Sequence, residues 1–139
     1  MPTVVAIGEL LVDFMMQALD QDNYPTMKAH PGGAPSNYLA ALSAYGISAG
    51  LLAKVGDDAF GSHLIDTLRR VGVDTEGVIV DPNVFTTLAF VTLDETGNRS
   101  FDFARKPGAD TMLSWEKINA SLIIPHPAAL SRCCLWSYL

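Results

Sequence analysis

The 139 residues are 49% hydrophobic and 17% charged, which fits one modest globular domain and excludes a disordered chain. A net charge of −6 argues against nucleic acid and anionic membrane as partners, and no run reaches the roughly 18 apolar residues of a membrane span. The N-terminus lacks a basic region and a signal-type cleavage site, so a cytoplasmic location is expected.

Thr3 to Gly8 reads as a short buried strand. Leu10 to Met16 is apolar except for Asp13, and a lone carboxylate there must find partners or face a cavity. Gln17 to Tyr24 is polar and turn-like, and Met27 to His30 is a second short extended piece. Pro35 to Tyr45 is predicted as the first helix, with Leu39, Leu42 and Tyr45 at helical spacing and Gly46 as its stop. Gly50 to Val55 returns to a strand. Ala59 to Val71 is the second helix, after a turn in which Asp58 is a capping candidate. Val78 to Val80 is a third strand. This alternation is the grammar of a parallel sheet covered by helices.

The pattern then changes. Thr86 to Asp94 and Arg99 to Arg105 flank a turn at Glu95 to Asn98, which predicts an antiparallel hairpin with Phe101 and Phe103 on one face. A hairpin set into an α/β pattern suggests a separate flap. Lys106 to Asp110 is a turn, Thr111 to Ala120 a short helix, and Leu122 to Ile124 the start of another buried strand. Pro125 to Leu139 fits neither strand, turn nor helix cleanly. The expectation is an atypical tail, truncated or out of frame beyond residue 124, that does not complete the parallel sheet in the family manner. A short helix over Ala128 to Leu135 is one form open to it. Cys133 and Cys134 are neighbours and are expected to remain free thiols, and His30, His63 and His126 lack ligand spacing, so no metal site is expected.

Three elements point to one cavity. Asp13 lies in the apolar extended run. Gly32, Gly33 and Asn37 open the first helix, where paired glycines permit close approach and helix-start amides point outward. The hairpin carries Phe90, Phe101, Phe103 and Arg105. Carboxylate, amide and backbone groups for hydroxyls, with aromatic rings for apolar sugar faces, suit a sugar ligand. Each residue alone has an ordinary structural role open to it, as a turn carboxylate, a strand-to-helix turn, the inward face of a hairpin or a solvated charge.

The ordered blocks Gly8-Glu9-Leu10-Leu11-Val12-Asp13, Gly32-Gly33-Ala34-Pro35-Ser36-Asn37, Lys54 to Gly61, Gly72-Val73-Asp74-Thr75 and Thr86 to Asp110 give the chain its identity as a sequence. In them the chain resembles the N-terminal part of the ribokinase-like (PfkB) sugar kinases, most of all the fructokinases. The resemblance implies an incomplete α/β ribokinase-like core over residues 1–124, with flanking helices and a small antiparallel β lid built from about 10–30 and 86–105. It implies sugar contacts by Asp13, Gly32, Gly33 and Asn37, with Phe90, Phe101 or Phe103 and Arg105 near the sugar. It implies transfer of the γ-phosphoryl group of ATP, with Mg²⁺, to a sugar hydroxyl, fructose being favoured, and it allows a homodimer through the lid.

The family's catalytic Asp stands in a Gly-Ala-Gly-Asp run, and these 139 residues contain none; nor do they contain a Gly-x-x-x-x-Gly-Lys-Ser/Thr run. Asp57 and Asp58 read as turn and cap residues rather than substitutes. The chain is therefore expected to hold the sugar side of the site with no catalytic residue of its own. Two other readings stay open. One is a non-catalytic sugar-binding or interaction module derived from the fold. The other is a nucleotide-binding α/β domain with Gly32 and Gly33 against phosphate, weakened because the glycines do not follow the first strand directly.

Overall fold

The computed structural model describes residues 2–93 and 96–118, together with the backbone of 130–131. Its first layer is a parallel sheet. β1 (Val4–Ile7) pairs with β4 (Ala49–Gly56), and β4 pairs in turn with β5 (Val73–Asp74) and, further along, with β6 (Val78–Asp81). Every residue of β4 is buried, as a strand flanked on both edges and covered on its faces should be. α1 (Ala34–Ala44) and α2 (Ala59–Arg70) pack on this sheet, and Leu39, Leu64 and Leu68 join Leu51 and Val55 in the core. Tyr45 is 86% exposed, so the apolar stripe expected along the first helix ends at Leu42. Among the described residues no helix is long and apolar enough to cross a membrane.

The second layer is the lid, a four-stranded sheet in the order β3–β2–β7–β8. β2 (Leu11–Leu19) runs antiparallel to β3 (Pro25–Gly32) and parallel to β7 (Leu88–Leu93), and β7 forms the predicted antiparallel hairpin with β8 (Arg99–Ala104). The lid is thus mixed rather than purely antiparallel. β2 also runs longer than its sequence suggested. Gln17 to Leu19 stay in the strand past an irregularity between Met16 and Ala18, and the polar turn is confined to Asp20 to Tyr24, where Oδ1 of Asp20 accepts from the amides of Asp22 and Tyr24. Val12, near the start of β2, is buried in the core of the body, so one strand belongs to both layers.

The two layers are tied together at Asp58. It caps α2, with Oδ1 accepting from the amides of Phe60 and Gly61 at 3.0 and 2.8 Å. Oδ2 accepts from the amide of Thr86 at 2.8 Å, and the Thr86 hydroxyl accepts from the amide of Gly56 at 3.0 Å. Thr86 and Thr87, both buried, are the root of β7. Asp58 is therefore a cap and a tether, as its position before the helix suggested. Lys54, 1% exposed at the end of β4, is neutralised by Asp81 at 2.8 Å, which joins β4 to β6 by side chain as well as backbone.

One expectation needs correction. Thr111 to Ala120 is not a helix in its described part; it makes two 3-10 turns, Asp110–Met112 and Trp115–Lys117, because Leu113 and Ser114 between them are extended. Within the tail, β9 (Leu130–Ser131) pairs parallel to β1 on the edge away from β4. These two residues are extended rather than helical and add to the parallel sheet, since β1 offers a free row of backbone donors and acceptors there. Leu122 to Ile124 and the prolines at 125 and 127 lie outside the described residues.

Burial alone would raise the carboxyl pKa of Asp58, but the amide and hydroxyl bonds from Thr86 and the amides of Gly61 and Phe60 outweigh it and hold the pKa below its ordinary value. A folded-state pKa below the unfolded value means that Asp58 stabilises the fold above the ordinary carboxylate range and loses that contribution as pH falls through its folded pKa. Asp58→Ala should cost about 1–3 kcal/mol in urea unfolding at neutral pH. The difference from the parent should shrink in acid; a gap that is constant with pH would contradict this assignment.

Candidate functional site

Cross-strand register decides which side chains share a face of the lid. Asp13 is paired with His30 on β3 and with Ala89 on β7, and Ala89 is paired with Phe103 on β8. These four residues lie on one face, joined two residues along by Val91 and Phe101. Ala89 and Val91 are buried, while Phe101 and Phe103 stack on each other at 6.3 Å between centroids and remain 49% and 41% exposed. The result is a half-open face with a carboxylate at one end and an aromatic wall at the other.

Gly32 closes the carboxylate end. A Cβ at Gly32 would collide with Oδ2 of Asp13 and stand 2.7 Å from its Cγ, so only glycine lets the carboxylate fold over the end of β3. Gly33 follows with φ of 108°, and a Cβ there would strike the carbonyl oxygen of Glu9. α1 begins at once. Gly33 offers it no side-chain cap, and the amide of Ala34 donates to Oε1 of Glu9 at 3.4 Å. The Ser36 hydroxyl turns back onto the carbonyls of Gly32 and Gly33 at 2.9 and 2.8 Å. Asn37 sits one turn up, its amide bonded to the Gly33 carbonyl at 3.1 Å, with its side chain exposed. Asp13 and Gly32 are thus in contact, and Gly33 and Asn37 are carried on the same turn.

Asp13 is strained as an anion. Burial raises its pKa, the charge of Glu9 raises it further, and His30 across the strand pair lowers it. A carboxylate short of partners on an open face is poised to accept hydrogen bonds from a ligand that brings donors.

At the aromatic end, Arg105 lies over the Phe103 ring with its guanidinium carbon 4.4 Å from the centroid. Its Nη1 donates to Oδ2 of Asp110 at 2.9 Å, and the Asp110 side chain is 3% exposed. The Thr87 hydroxyl donates to Oδ1 of the same carboxylate. Phe90 is elsewhere. Its register partner is Phe14, on which it stacks at 5.5 Å, and this pair lies on the opposite face of the lid from Asp13. Phe14 meets Phe60 of α2 edge-on at 5.6 Å, and Phe60 meets Phe85 at 6.4 Å. The sequence reading grouped Phe90 with Phe101 and Phe103; the alternation of strand side chains separates them.

Neither helix start suits a phosphate. Glu9 stands at the first amide of α1 and Asp58 at those of α2, so each offers a carboxylate where an anion would bind. Among the described residues no group of three or more His, Cys, Asp or Glu side chains could hold a metal ion. Glu9, Phe14, His30, Thr87 and Asp110 were not singled out from the sequence as site residues. Asp110 carried a signal, as the end of the Arg105 to Asp110 block; the pairing of His30 with Asp13 needed the register.

The chain matches the family model described as pfkB family carbohydrate kinase over residues 1–130. It is 43% identical over 122 residues to fructokinase-1 of Zea mays, covering 86% of this chain and 38% of that protein. It is 42% identical over 123 residues to fructokinase-2 of Oryza sativa subsp. japonica, covering 86% of this chain and 36% of that protein. Among solved structures, it superposes on the fructokinase of Xylella fastidiosa with bound ATP at a TM-score of 0.78 and 31% identity, covering 88% of this chain and 39% of that one. The chain spans less than two fifths of the length of each of these relatives.

Because the folded pKa of Asp13 is raised, its charge costs stability, and that cost is relieved as pH falls through the folded value toward the unfolded one. Asp13→Asn should leave the fold as stable as the parent at neutral pH, or more so, in thermal unfolding. Carboxyl-carbon NMR titration should show Glu9→Gln lowering the Asp13 pKa and His30→Gln raising it. Shifts of the opposite sign would break the electrostatic account.

Proposed function

The chain belongs to the pfkB family of carbohydrate kinases, and on that premise we propose that it carries the sugar-side half of an ATP-dependent sugar kinase site, with fructose the favoured acceptor. The observation that carries this reading is the Asp13 carboxylate seated over Gly32 on the lid face that also bears Phe103. Asp13 accepts hydrogen bonds from sugar hydroxyls, which bring it the donors that the protein withholds. The first turn of α1, with Gly33 and Asn37, borders the sugar on one side. Phe101 and Phe103 cover an apolar sugar face, as aromatic rings do. Arg105 offers donors beside them.

The role of this chain in the proposed reaction is to bind and orient the acceptor. ATP supplies the γ-phosphoryl group, with Mg²⁺ as counter-ion, and the base that receives the hydroxyl proton is the Asp of the family's Gly-Ala-Gly-Asp run, which these 139 residues do not contain. The protein is read as cytoplasmic. In the intact enzyme the lid pairs with that of a second copy. The alternative is a sugar-binding or interaction module without transfer activity.

Purified chain should bind fructose weakly, and Asp13→Ala should weaken that binding by about 1.5–3 kcal/mol, roughly ten- to 150-fold, the range for hydrogen bonds to a charged group. With ATP, Mg²⁺ and fructose, the 139-residue chain should give no ADP above background in a coupled assay. ADP production that follows the chain through purification would overturn the division of labour proposed here.

A further inference from the structure

We propose that Asp110 is a positioning residue of the sugar-side site: it holds Arg105 against Phe103 so that the free guanidinium donors face the same ligand as the Asp13 carboxylate. The inference rests on the sugar-side reading above and adds to it the residue that aims Arg105.

The Phe103 ring holds Arg105, just past the end of β8, on the Asp13 face. Phe103 shares that face with Ala89 and Asp13, Ala104 is paired with Leu88 on the other, and the Arg105 guanidinium lies on the Phe103 ring. Asp110 is buried and uses both oxygens, one for Nη1 of Arg105 and one for the Thr87 hydroxyl. Gly108 makes this approach possible, since a Cβ there would collide with Oγ1 of Thr87 and stand 2.7 Å from Cβ of Arg105. Thr87 in turn is bound to the strand that carries Asp13, its carbonyl accepting from the amide of Val12 at 3.1 Å. Arg105 and Asp13 are therefore fixed to each other through Asp110, Thr87 and Val12.

The geometry is not that of an arginine spent on its ion pair. Arginine–carboxylate pairs are frequently bidentate, with two parallel N–H bonds. Here one guanidinium nitrogen is engaged, and among the described residues the other two have no partner. Arg105 retains 22% exposure on the open side. A donor-only guanidinium and an acceptor-only carboxylate across one face complement neighbouring hydroxyls, which both donate and accept. Asp110 cancels the charge of Arg105, so the ligand class is a neutral polyol rather than a sugar acid or sugar phosphate.

The test uses the 139-residue chain, followed by nitrogen–proton correlation NMR while fructose is titrated in, with gluconate and fructose 6-phosphate in parallel. In the parent, the amides of Gly32 and Gly33 and the Nε–H of Arg105 should all move with fructose, and much less with either anion. In Asp110→Asn the Arg105 signal should lose its response, and the dissociation constant for fructose should rise about tenfold or more. The Gly32 and Gly33 shifts should persist at higher fructose, which a merely unfolded variant would not show. Arg105→Lys leaves Asp110 a charged partner and should weaken fructose similarly, so the inference stays testable if Asp110→Asn does not fold. Parent-like fructose affinity in these variants, an Arg105 signal indifferent to fructose while Gly32 and Gly33 respond, or equal binding of the anions would overturn it. Silence of Gly32 and Gly33 in the parent would instead bring down the sugar-side reading, and this inference with it.

Discussion

A single carboxylate, that of Asp58, joins the two layers on which the rest of the structure depends. One oxygen closes the start of α2 and the other holds the amide of Thr86, where the chain leaves the body for β7. Gly56 completes the knot by donating to the Thr86 hydroxyl. A Cβ at Gly56 would clash with Asp58 and with the backbone of Val84 and Thr86, and one at Gly61 would meet the carbonyl of Gly56. The block Gly56 to Gly61 is thus a packing constraint. Asp58 is consumed by backbone donors, as its capping position before the helix suggested.

With β7 rooted there, β2 can serve two layers. Val12 points into the core and Asp13 out of it, one residue apart, and that alternation sets the carboxylate at the edge between body and lid. Phe14, stacked on Phe90 and edge-on to Phe60, fixes the strand from behind. The site face is left with an uneven charge balance. Two carboxylates, Asp13 and Glu9, stand near each other with His30 as the neighbouring counter-group, while Arg105 is neutralised by Asp110. Such a face favours a ligand that supplies hydrogen-bond donors without negative charge. The buried Lys54–Asp81 pair serves a different end. Asp81, at the rim of the sheet, is held down to about 2 first by its hydrogen bond from Lys54, and the pair stitches β4 to β6.

Much of this was legible in the sequence. The β4 run, the Gly46 and Gly72 stops and the Asp58 cap follow from local chemistry, because strand burial, helix termination and capping depend on neighbours a few residues away. The hairpin between Leu88 and Ala104 was legible for the same reason. β5, two residues long, and the extension of β2 through Leu19 were not, because pairing with β4 and β3 rather than composition holds them extended. The 3-10 turns after Asp110 were misjudged as a helix, since the apolar spacing there does not reveal that Leu113 and Ser114 are extended.

The sequence by itself determined the family, the α/β alternation, the lid hairpin and the candidacy of Asp13, Gly32, Gly33 and Asn37. Those signals are local runs of residue type. Only the tertiary structure decided which candidates share a face. Phe90 and Phe103 stand in neighbouring strands of the same hairpin, yet register sends one to the Phe14 cluster and the other to the Asp13 face. Side-chain direction in a strand alternates with every residue, so it is fixed by the hydrogen-bond register between distant segments. The same dependence brings His30 beside Asp13 and Asp110 beneath Arg105, contacts that no short stretch of sequence encodes.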